Sequence, residues 1–409
     1  MKITRYIVIT VFALLYFIAG QSQPYSILIK GGHVIDPKNG IDKEMDIAIT
    51  DSVIAKVDEH IDIKTAKVVI DGSGMYVTPG LIDMHAHHFF GTVSGCYLCN
   101  SYEALPPDGF TFRCGVTTVV DAGSSGWKTF ETFKMQTIAH SKTRIFAFIN
   151  IVGEGMRGGP YEQNPDDMNA RMASLVALQN PEVVGFKVAH FSGAEWTPVD
   201  RAVEAGNLAN MPVMIDFGQH EPPLSLKELL LDKLRPGDIF THAFASVPGR
   251  MAVVGRDGKV FPYALEAQKQ GIIFDLGHGG GSFSYSQAIP AVKAGFFPQT
   301  ISTDLHTGSM NSGMKDMNNV MSKMLNLGMS LKEVIAASTW TPASVIHREQ
   351  YGHLSEGAIA DIAVFSLREG KFGFTDVSGR RMDGTQKLEC EVTLLGGSVV
   401  YDLNGISTP

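Results

Sequence analysis

The stretch Asp83-Met84-His85-Ala86-His87 ends an apolar run that begins near residue 76. In a β-strand, residues two apart point to the same face, so both imidazoles can bind one metal ion. Further residues with metal-binding side chains follow apolar runs downstream: Lys187, His220, His242 and Asp304. One histidine pair could arise by chance, but this ordered set of six residues at strand ends predicts a site for two metal ions.

The middle of the chain alternates apolar runs with helix-like stretches. Eight such runs lie near residues 76–84, 116–120, 145–152, 183–188, 212–217, 238–244, 272–276 and 300–303. Met residues fall at helical spacing at 314, 317, 321 and 324, which predicts a core-facing helix. The alternation predicts the α/β class and a (β/α)8 barrel, in which the carboxyl ends of all strands meet at one face. That face would bring the six residues together.

Both ends of the chain have the residue pattern of short strands. Residues 23–75 alternate β-rich runs with turn residues, and residues 350–409 repeat the pattern. We predict that these two segments form one discontinuous β-sandwich domain. The barrel then occupies residues 76–349.

Residues 1–22 are typical of a signal peptide. Lys2 and Arg5 precede a mostly apolar run, and Gly20-Gln21-Ser22 has the form of a cleavage site. The run is shorter than the roughly 20 residues of a membrane-spanning helix. We therefore expect a secreted or periplasmic protein with no stable membrane insertion after cleavage; an uncleaved, membrane-anchored form is the alternative.

Composition and charge restrict the function classes. The chain has 409 residues, of which 44% are hydrophobic, so it can bury a large core. Its net charge is -8 and its Lys and Arg residues are dispersed. The basic patch expected of a nucleic-acid-binding protein is therefore missing. We expect a small-molecule substrate and no nucleic acid.

The four cysteines are Cys96, Cys99, Cys114 and Cys390. A structural zinc site would need a second closely spaced pair, so an exported chain of this kind is expected to carry disulfides or free thiols. The pairing does not follow from the spacing. We assign the cysteines no catalytic role.

The motifs resemble those of the amidohydrolase superfamily over nearly all of residues 25–402. The resemblance lies in the segment 79–87, which ends in the histidine pair, and in the order of the ligands that follow. The segments 115–123 and 301–306 are similar to a dihydroorotase-like deacetylase subgroup. Members of this subgroup are often labelled dihydroorotase or adenine deaminase, and it resembles hydrolases of acetylated α-hydroxy or α-amino acids.

The resemblance implies a role for each residue. His85 and His87 would hold the more buried of two divalent ions, expected to be zinc, and His220 and His242 the other. A buried ammonium at Lys187 is costly, whereas its carbamate would bridge both ions. Asp304 would touch the first ion and move the proton of a bridging hydroxide, as general base and then general acid. A homo-oligomer is also implied.

The substrate prediction depends on a departure from the family pattern. Dihydroorotases usually carry an Arg two residues after the histidine pair, where this chain has Phe89. We therefore predict deacetylation of a small N- or O-acetylated carboxylic acid, with Arg157 and His278 as substrate-binding residues. A cyclic-amide hydrolase or deaminase is the enzymatic alternative, and a non-catalytic binding barrel is the alternative outside enzymes. His88, His190 and His306 are expected beside the site without binding metal.

Overall fold

The computed structural model describes residues 23–90, 103–247 and 249–407. The predicted signal peptide, as well as Cys96 and Cys99, lies outside the described residues. Among the described residues, no helix combines the length and the hydrophobicity needed to cross a membrane.

The strands of the described residues form two sheets. The first five are β1 (Tyr25–Asp36), β2 (Ile41–Thr50), β3 (Val53–Asp58), β4 (Ala66–Asp71) and β5 (Tyr76–Pro79). The next seven are β6 (Leu81–Ala86), β7 (Val116–Gly126), β8 (Arg144–Asn150), β9 (Val183–Val188), β10 (Val213–Ile215), β11 (Ile239–Phe240) and β12 (Ile273–Phe274). The last three are β13 (Ile362–Thr375), β14 (Arg381–Leu395) and β15 (Ser398–Asp402).

Helices follow most of the barrel strands. They are α1 (Phe130–Gln136), α2 (Ala170–Gln179), α3 (Thr197–Ala209), α4 (Leu226–Glu228), α5 (Pro262–Lys269), α6 (Tyr285–Lys293), α7 (Met317–Leu327), α8 (Leu331–Ala337) and α9 (Trp340–Val345). A π-helical turn, Leu229–Lys233, continues α4. Short 3-10 turns lie at Ile63–Thr65, Phe112–Cys114, Ile138–His140, Gly159–Tyr161 and Pro165–Asp167.

The predicted barrel is confirmed. Strands β6 to β12 form one parallel sheet in sequence order. The eighth run closes it, because Thr300 bridges to Asp275 at one edge and Leu305 bridges to Ala86 at the other. The amide of Asp304 donates to the carbonyl of His85 at 2.7 Å across this closure. The first and last predicted ligand segments are therefore neighbours.

Both chain ends form the second sheet, as predicted. Its order is β15-β14-β13-β5-β1-β2-β3, with β4 also paired to β1. The run predicted as the first barrel strand is divided at Gly80, because β5 pairs with β1 and β13 whereas β6 begins the barrel. A Cβ at Gly80 would lie 2.4 Å from Thr117 Oγ1, so this crossing point requires glycine.

The methionine stripe is confirmed as core. Met314 precedes α7, and Met317, Met321 and Met324 lie within it; all four are buried. Asp316 caps the helix by accepting from the amide of Asn319 at 2.7 Å.

The hairpin of β13 and β14 reaches from the second sheet to the barrel. The amide of Tyr285 donates to Asp376 Oδ2 at 3.0 Å, and its hydroxyl donates to the carbonyl of Phe374 at 3.2 Å. The hairpin tip therefore supports the segment that follows β12.

Cys114 and Cys390 are buried free thiols. Cys114 Sγ donates to the carbonyl of Thr111 at 3.1 Å, and Cys390 Sγ lies 3.2 Å from Thr393 Oγ1. Burial raises the pKa of Cys390 to about 12, so this thiol stays protonated.

Candidate metal centre

A cavity of about 330 Å³ lies at the carboxyl ends of the barrel strands. Five of the six predicted ligands line it: His85, His87, Lys187, His242 and Asp304. A second cavity of about 360 Å³, beside Phe110 and Met317, contains none of them. The first cavity is the candidate site because the predicted chemistry is concentrated there.

The ligand atoms in this cavity are close together. One donor atom each from His85, His242 and Asp304 lie within 4.8 Å of one another. Lys187 Nζ lies 3.3 Å from His85 Nε2, and His87 Nε2 lies 3.1 Å from Asp304 Oδ1. Imidazole nitrogens and a carboxylate at these separations are suited to binding a divalent metal.

Each of the four predicted ligand histidines has its Nδ1 engaged by an oxygen atom. The partners are Thr241 Oγ1 for His85 (2.8 Å), Ser124 Oγ for His87 (2.9 Å), the Gly193 carbonyl for His220 (3.0 Å) and the Gly277 carbonyl for His242 (2.6 Å). A carbonyl can only accept, so His220 and His242 carry their proton on Nδ1. Their Nε2 atoms therefore present a lone pair, as a metal ligand requires.

His220 is the predicted ligand that the structure does not place among the cavity-lining residues. Its neighbour Gln219 does line the cavity. The buried Nε2 of His220 has no hydrogen-bond partner among the described residues, and burial lowers the pKa of this imidazole. An unsatisfied buried nitrogen is costly and could accept a ligand, but His220 is not part of the close group formed by His85, His242 and Asp304.

Four residues lining the cavity have left-handed backbone conformations. The φ angles are 56° at His190, 68° at Gln219, 59° at His242 and 50° at Asp304. Each such residue costs about 1–3 kcal/mol, and such strain is concentrated at functional sites. The strand ends are therefore held in conformations that their own side chains do not favour.

Burial and neighbouring charges set the protonation states in the cavity. Burial lowers the pKa of His85 to about 3, and the nearby Lys187 adds to this effect. Burial alone would raise the pKa of Asp304, but His85 and His87 outweigh it and lower that pKa overall. Burial lowers the pKa of Lys187. These shifts favour a neutral imidazole at His85, a carboxylate at Asp304 and a less basic amine at Lys187.

The two predicted substrate residues are not brought to the cavity. Arg157 Nη1 donates to Glu154 Oε2 at 2.8 Å, and the guanidinium carbon lies 4.2 Å from the centre of the Tyr161 ring. His278 is fully buried, and its Nδ1 contacts the Gly279 carbonyl at 2.9 Å. Its Nε2 lies 2.7 Å from Lys323 Nζ. Both ring nitrogens of His278 are thus engaged away from the cavity.

Of the three histidines expected beside the site, His190 and His306 line the cavity. His190 Nδ1 lies 2.9 Å from Glu162 Oε2, and His306 Nδ1 lies 3.1 Å from Glu103 Oε2. His88 is buried outside the cavity lining, where its Nδ1 contacts the Leu105 carbonyl at 2.8 Å. Two of the three histidines therefore lie beside the site, as expected from the sequence.

Sequence reasoning missed Asp216 and Arg250. Asp216 Oδ2 lies 3.5 Å from His242 Nε2, and Asp216 Oδ1 accepts from Arg250 Nη2. A signal was present for Asp216, which directly follows the apolar residues of β10. Arg250 lies in a long loop, where sequence does not indicate the direction of a side chain.

Comparisons with known proteins agree with this geometry. Residues 285–399 match the amidohydrolase family. A protein from Brucella anthropi named deacetylase is 34% identical over 337 residues, covering 80% of this chain and 81% of that protein. The chain belongs to the amidohydrolase family.

Two solved structures resemble this amidohydrolase over almost its whole length. One is described as an adenine deaminase: it is 28% identical, has a TM-score of 0.81, and the match covers 93% of this chain and 100% of that one. The other is described as a dihydroorotase: it is 29% identical, has a TM-score of 0.80, and the match covers 92% and 99%. The names of these relatives differ in reaction, although the fold is shared.

Proposed function

We propose that this amidohydrolase is a binuclear metal-dependent hydrolase that removes the acetyl group from a small N- or O-acetylated carboxylic acid. The observation that carries the proposal is the cavity in which His85, His87, Lys187, His242 and Asp304 converge. The deacetylase name of the relative from Brucella anthropi supports the choice of reaction.

We assign His85 and His87 to one ion and His242 to the other. His220 is not among the residues that line the cavity, and its assignment to the second ion rests on the family resemblance alone. The carbonyl partners of His220 and His242 at Nδ1 leave the Nε2 of these rings for a ligand. The support for His85 and His87 is their place in the cavity. Two divalent cations, which we expect to be zinc, would supply an activated water and polarise the acyl carbonyl.

Lys187 is proposed to bridge the ions as a carbamate. Its amine is buried, and burial lowers its pKa, which increases the neutral fraction that can react with carbon dioxide. In that reaction the nitrogen forms a bond to carbon and releases one proton. The product is an anion with two ligand oxygens in place of a buried cation.

Asp304 is proposed to move the proton. Its lowered pKa keeps it a carboxylate, so it can accept a proton when water attacks the acyl carbon. It would then return that proton to the departing alcohol or amine as the acyl bond breaks. Asp304 Oδ1 lies 3.1 Å from His87 Nε2, so the carboxylate is beside the nitrogen that we assign to the first ion. The products are acetate and the free hydroxy or amino acid.

A cyclic-amide hydrolase or a deaminase is the second candidate. The names of the two solved structures favour it. Against ring opening of dihydroorotate, Phe89 is buried, with its ring centroid 5.3 Å from that of Phe133. This position, two residues after the histidine pair, therefore cannot contribute a cationic partner for a substrate carboxylate.

The test combines metal analysis with substrate screening. The purified protein is analysed for metal and incubated with N-acetyl and O-acetyl acids of both hands, with adenine and cyclic amides as controls. About two equivalents of metal and release of acetate would support the proposal. Release of ammonia or a ring-opened acid would favour the second candidate. Metal-free protein that stays inactive after reconstitution would refute both.

A further inference from the structure

We propose that Arg250 binds the substrate carboxylate, held in position by Asp216 and given room by Gly218. This assignment rests on the proposed function, because it concerns the acid group of an acetylated carboxylic acid. It replaces Arg157, the residue expected from the sequence.

Arg250 lines the same cavity as the predicted metal ligands, and its side chain is 8% exposed. Its Nη2 donates to Asp216 Oδ1, while Nε and Nη1 have no hydrogen-bond partner among the described residues. Buried donors on a cation are normally satisfied. Because this side chain borders the cavity, a small rotation of the guanidinium would let a bound ligand supply the missing acceptors.

A carboxylate is the acceptor that this environment favours. Asp216 already faces two basic side chains and a proposed metal ligand: besides Arg250, its Oδ2 lies 3.8 Å from His190 Nε2 and 3.5 Å from His242 Nε2. A substrate carboxylate can therefore bind here while Arg250 keeps its hydrogen bond to Asp216. The planar guanidinium also matches the two oxygens of a carboxylate in geometry.

Arg250 is close to the proposed chemistry. Asp216 contacts Arg250 through one oxygen and approaches His242 through the other, so one carboxylate separates the guanidinium from the ligand cluster. One small molecule can therefore place its acid group at the guanidinium and its acyl group at the ligand cluster. A substrate whose acid group is far from its acyl group could not occupy both positions.

Gly218 makes this placement of Arg250 feasible. A Cβ at Gly218 would lie 2.6 Å from Arg250 Cγ, and the residue has a φ of 137° that other residues rarely adopt. The amide of Gln219 donates to the carbonyl of Gly249 at 2.9 Å, which joins the two loops. The loops after β10 and β11 therefore present Arg250 as one unit.

Arg157 provides a matched control. It is an arginine in the loop after β8, but its guanidinium is paired with Glu154 and packed on Tyr161. It does not line the cavity. Removing its charge should not change recognition of a carboxylate.

The experiment compares an N-acetyl amino acid, chosen as the best substrate of the screen, with its primary carboxamide. Wild type, Arg250→Met, Arg250→Lys and Arg157→Met are assayed with metal content and thermal unfolding measured in parallel. We expect Arg250→Met to lower kcat/KM for the acid by about 30-fold, mainly through KM, and to change the carboxamide by less than about 3-fold. Arg157→Met should behave as wild type.

An equal loss for the acid and the carboxamide in metal-loaded Arg250→Met would overturn the assignment, as would a selective loss in Arg157→Met. If Arg250→Met does not fold, Arg250→Lys decides, since it keeps a charge beside Asp216 but loses the planar fork. A reduced preference for the acid in that variant supports the assignment, and an unchanged preference refutes it. Wild type that cleaves none of the N-acetyl and O-acetyl acids of the screen refutes the proposed function itself, which is a separate result.

Discussion

Lys187 and Lys323 are both buried in this molecule, at 1% and 0% exposure, but their surroundings are opposite. Lys323 Nζ donates to the carbonyls of Gly313 (2.6 Å) and Thr375 (2.8 Å) and lies 2.7 Å from His278 Nε2. Lys187 Nζ meets only a ring nitrogen of His85 at 3.3 Å and Met214 Sδ at 3.4 Å within the described part of the chain. Burial is similar, whereas hydrogen bonding is not.

The difference separates a structural lysine from the lysine that we propose to be reactive. Three acceptors can hold Lys323 as an ammonium, so it connects α7, the β13–β14 hairpin and the segment after β12. Lys187 has a weak thioether acceptor and a nitrogen that we assign to a metal ion. A buried amine without good acceptors is the one that gains most from conversion to a metal-bound anion.

The largest effect is expected for Lys187→Ala, which removes the proposed bridge. We expect metal content to fall well below two equivalents and kcat/KM to drop by more than about 100-fold, because losing a ligand should exceed the effect of losing an outer hydrogen bond. A small carboxylic acid added to the assay should restore part of the activity by occupying the bridging position. Metal analysis and acetate release measure both effects.

Normal activity and metal content in Lys187→Ala would remove the bridge from the mechanism. Lys323→Ala serves as the control, because it deletes an equally buried lysine at a different place. Rescue of that control by the same acid would show that the effect is not specific to the metal centre.

A smaller effect is expected for Lys323→Met. The substitution retains the length of the side chain but leaves the carbonyls of Gly313 and Thr375 without their donor. We expect the free energy of unfolding to fall by about 1–3 kcal/mol, with metal content unchanged. Urea unfolding and metal analysis test this. Loss of metal comparable to that of Lys187→Ala would contradict the division into structural and reactive lysines.

The last effect is a pH dependence of stability, which is small over any one pH unit. Burial lowers the pKa of Lys323 to about 7; Asp376 and Asp316 oppose this shift, and Lys315 adds to it. An unfolded lysine titrates near ~10.4, so the unfolded chain binds more protons between these values. Burial of the charged amine therefore lowers the stability most below pH 7. This cost decreases as the pH rises, so stability increases across this window.

We expect the wild type to gain stability relative to Lys323→Met by no more than about 1.4 kcal/mol per pH unit in that window. Urea unfolding of both proteins at several pH values measures the difference. A difference that stays flat would mean that the two carbonyls hold Lys323 fully charged. In that case Lys323 would keep an ordinary pKa in spite of its burial.

Much of the fold could be predicted because it depends on local pattern. The eight apolar runs correspond to the seven barrel strands and to the closing segment between Thr300 and Leu305. The division at Gly80 could not be predicted, because β5 and β6 are one apolar run in sequence and separate only through their partners in two different sheets.

For the candidate site, the sequence was sufficient to predict which residues end a strand. Strand ends are ordered by the barrel, so five of the six ligands meet in one cavity. Side chains on loops have no such constraint. Arg157 and Arg250 both follow barrel strands in long loops, and only their partners, Glu154 in one case and Asp216 in the other, show which one faces the cavity.

The sequence by itself determined the alternation of strands and helices, the discontinuous second sheet and the order of the predicted metal ligands, because each depends on residue type and spacing along the chain. The tertiary structure alone decided that His278 is engaged by Lys323, that Asp216 joins Arg250 to the ligand cluster, and that Lys187 lacks the acceptors that Lys323 has. Those contacts join residues 34 or 45 positions apart. Packing brings them together, and spacing along the chain does not encode packing.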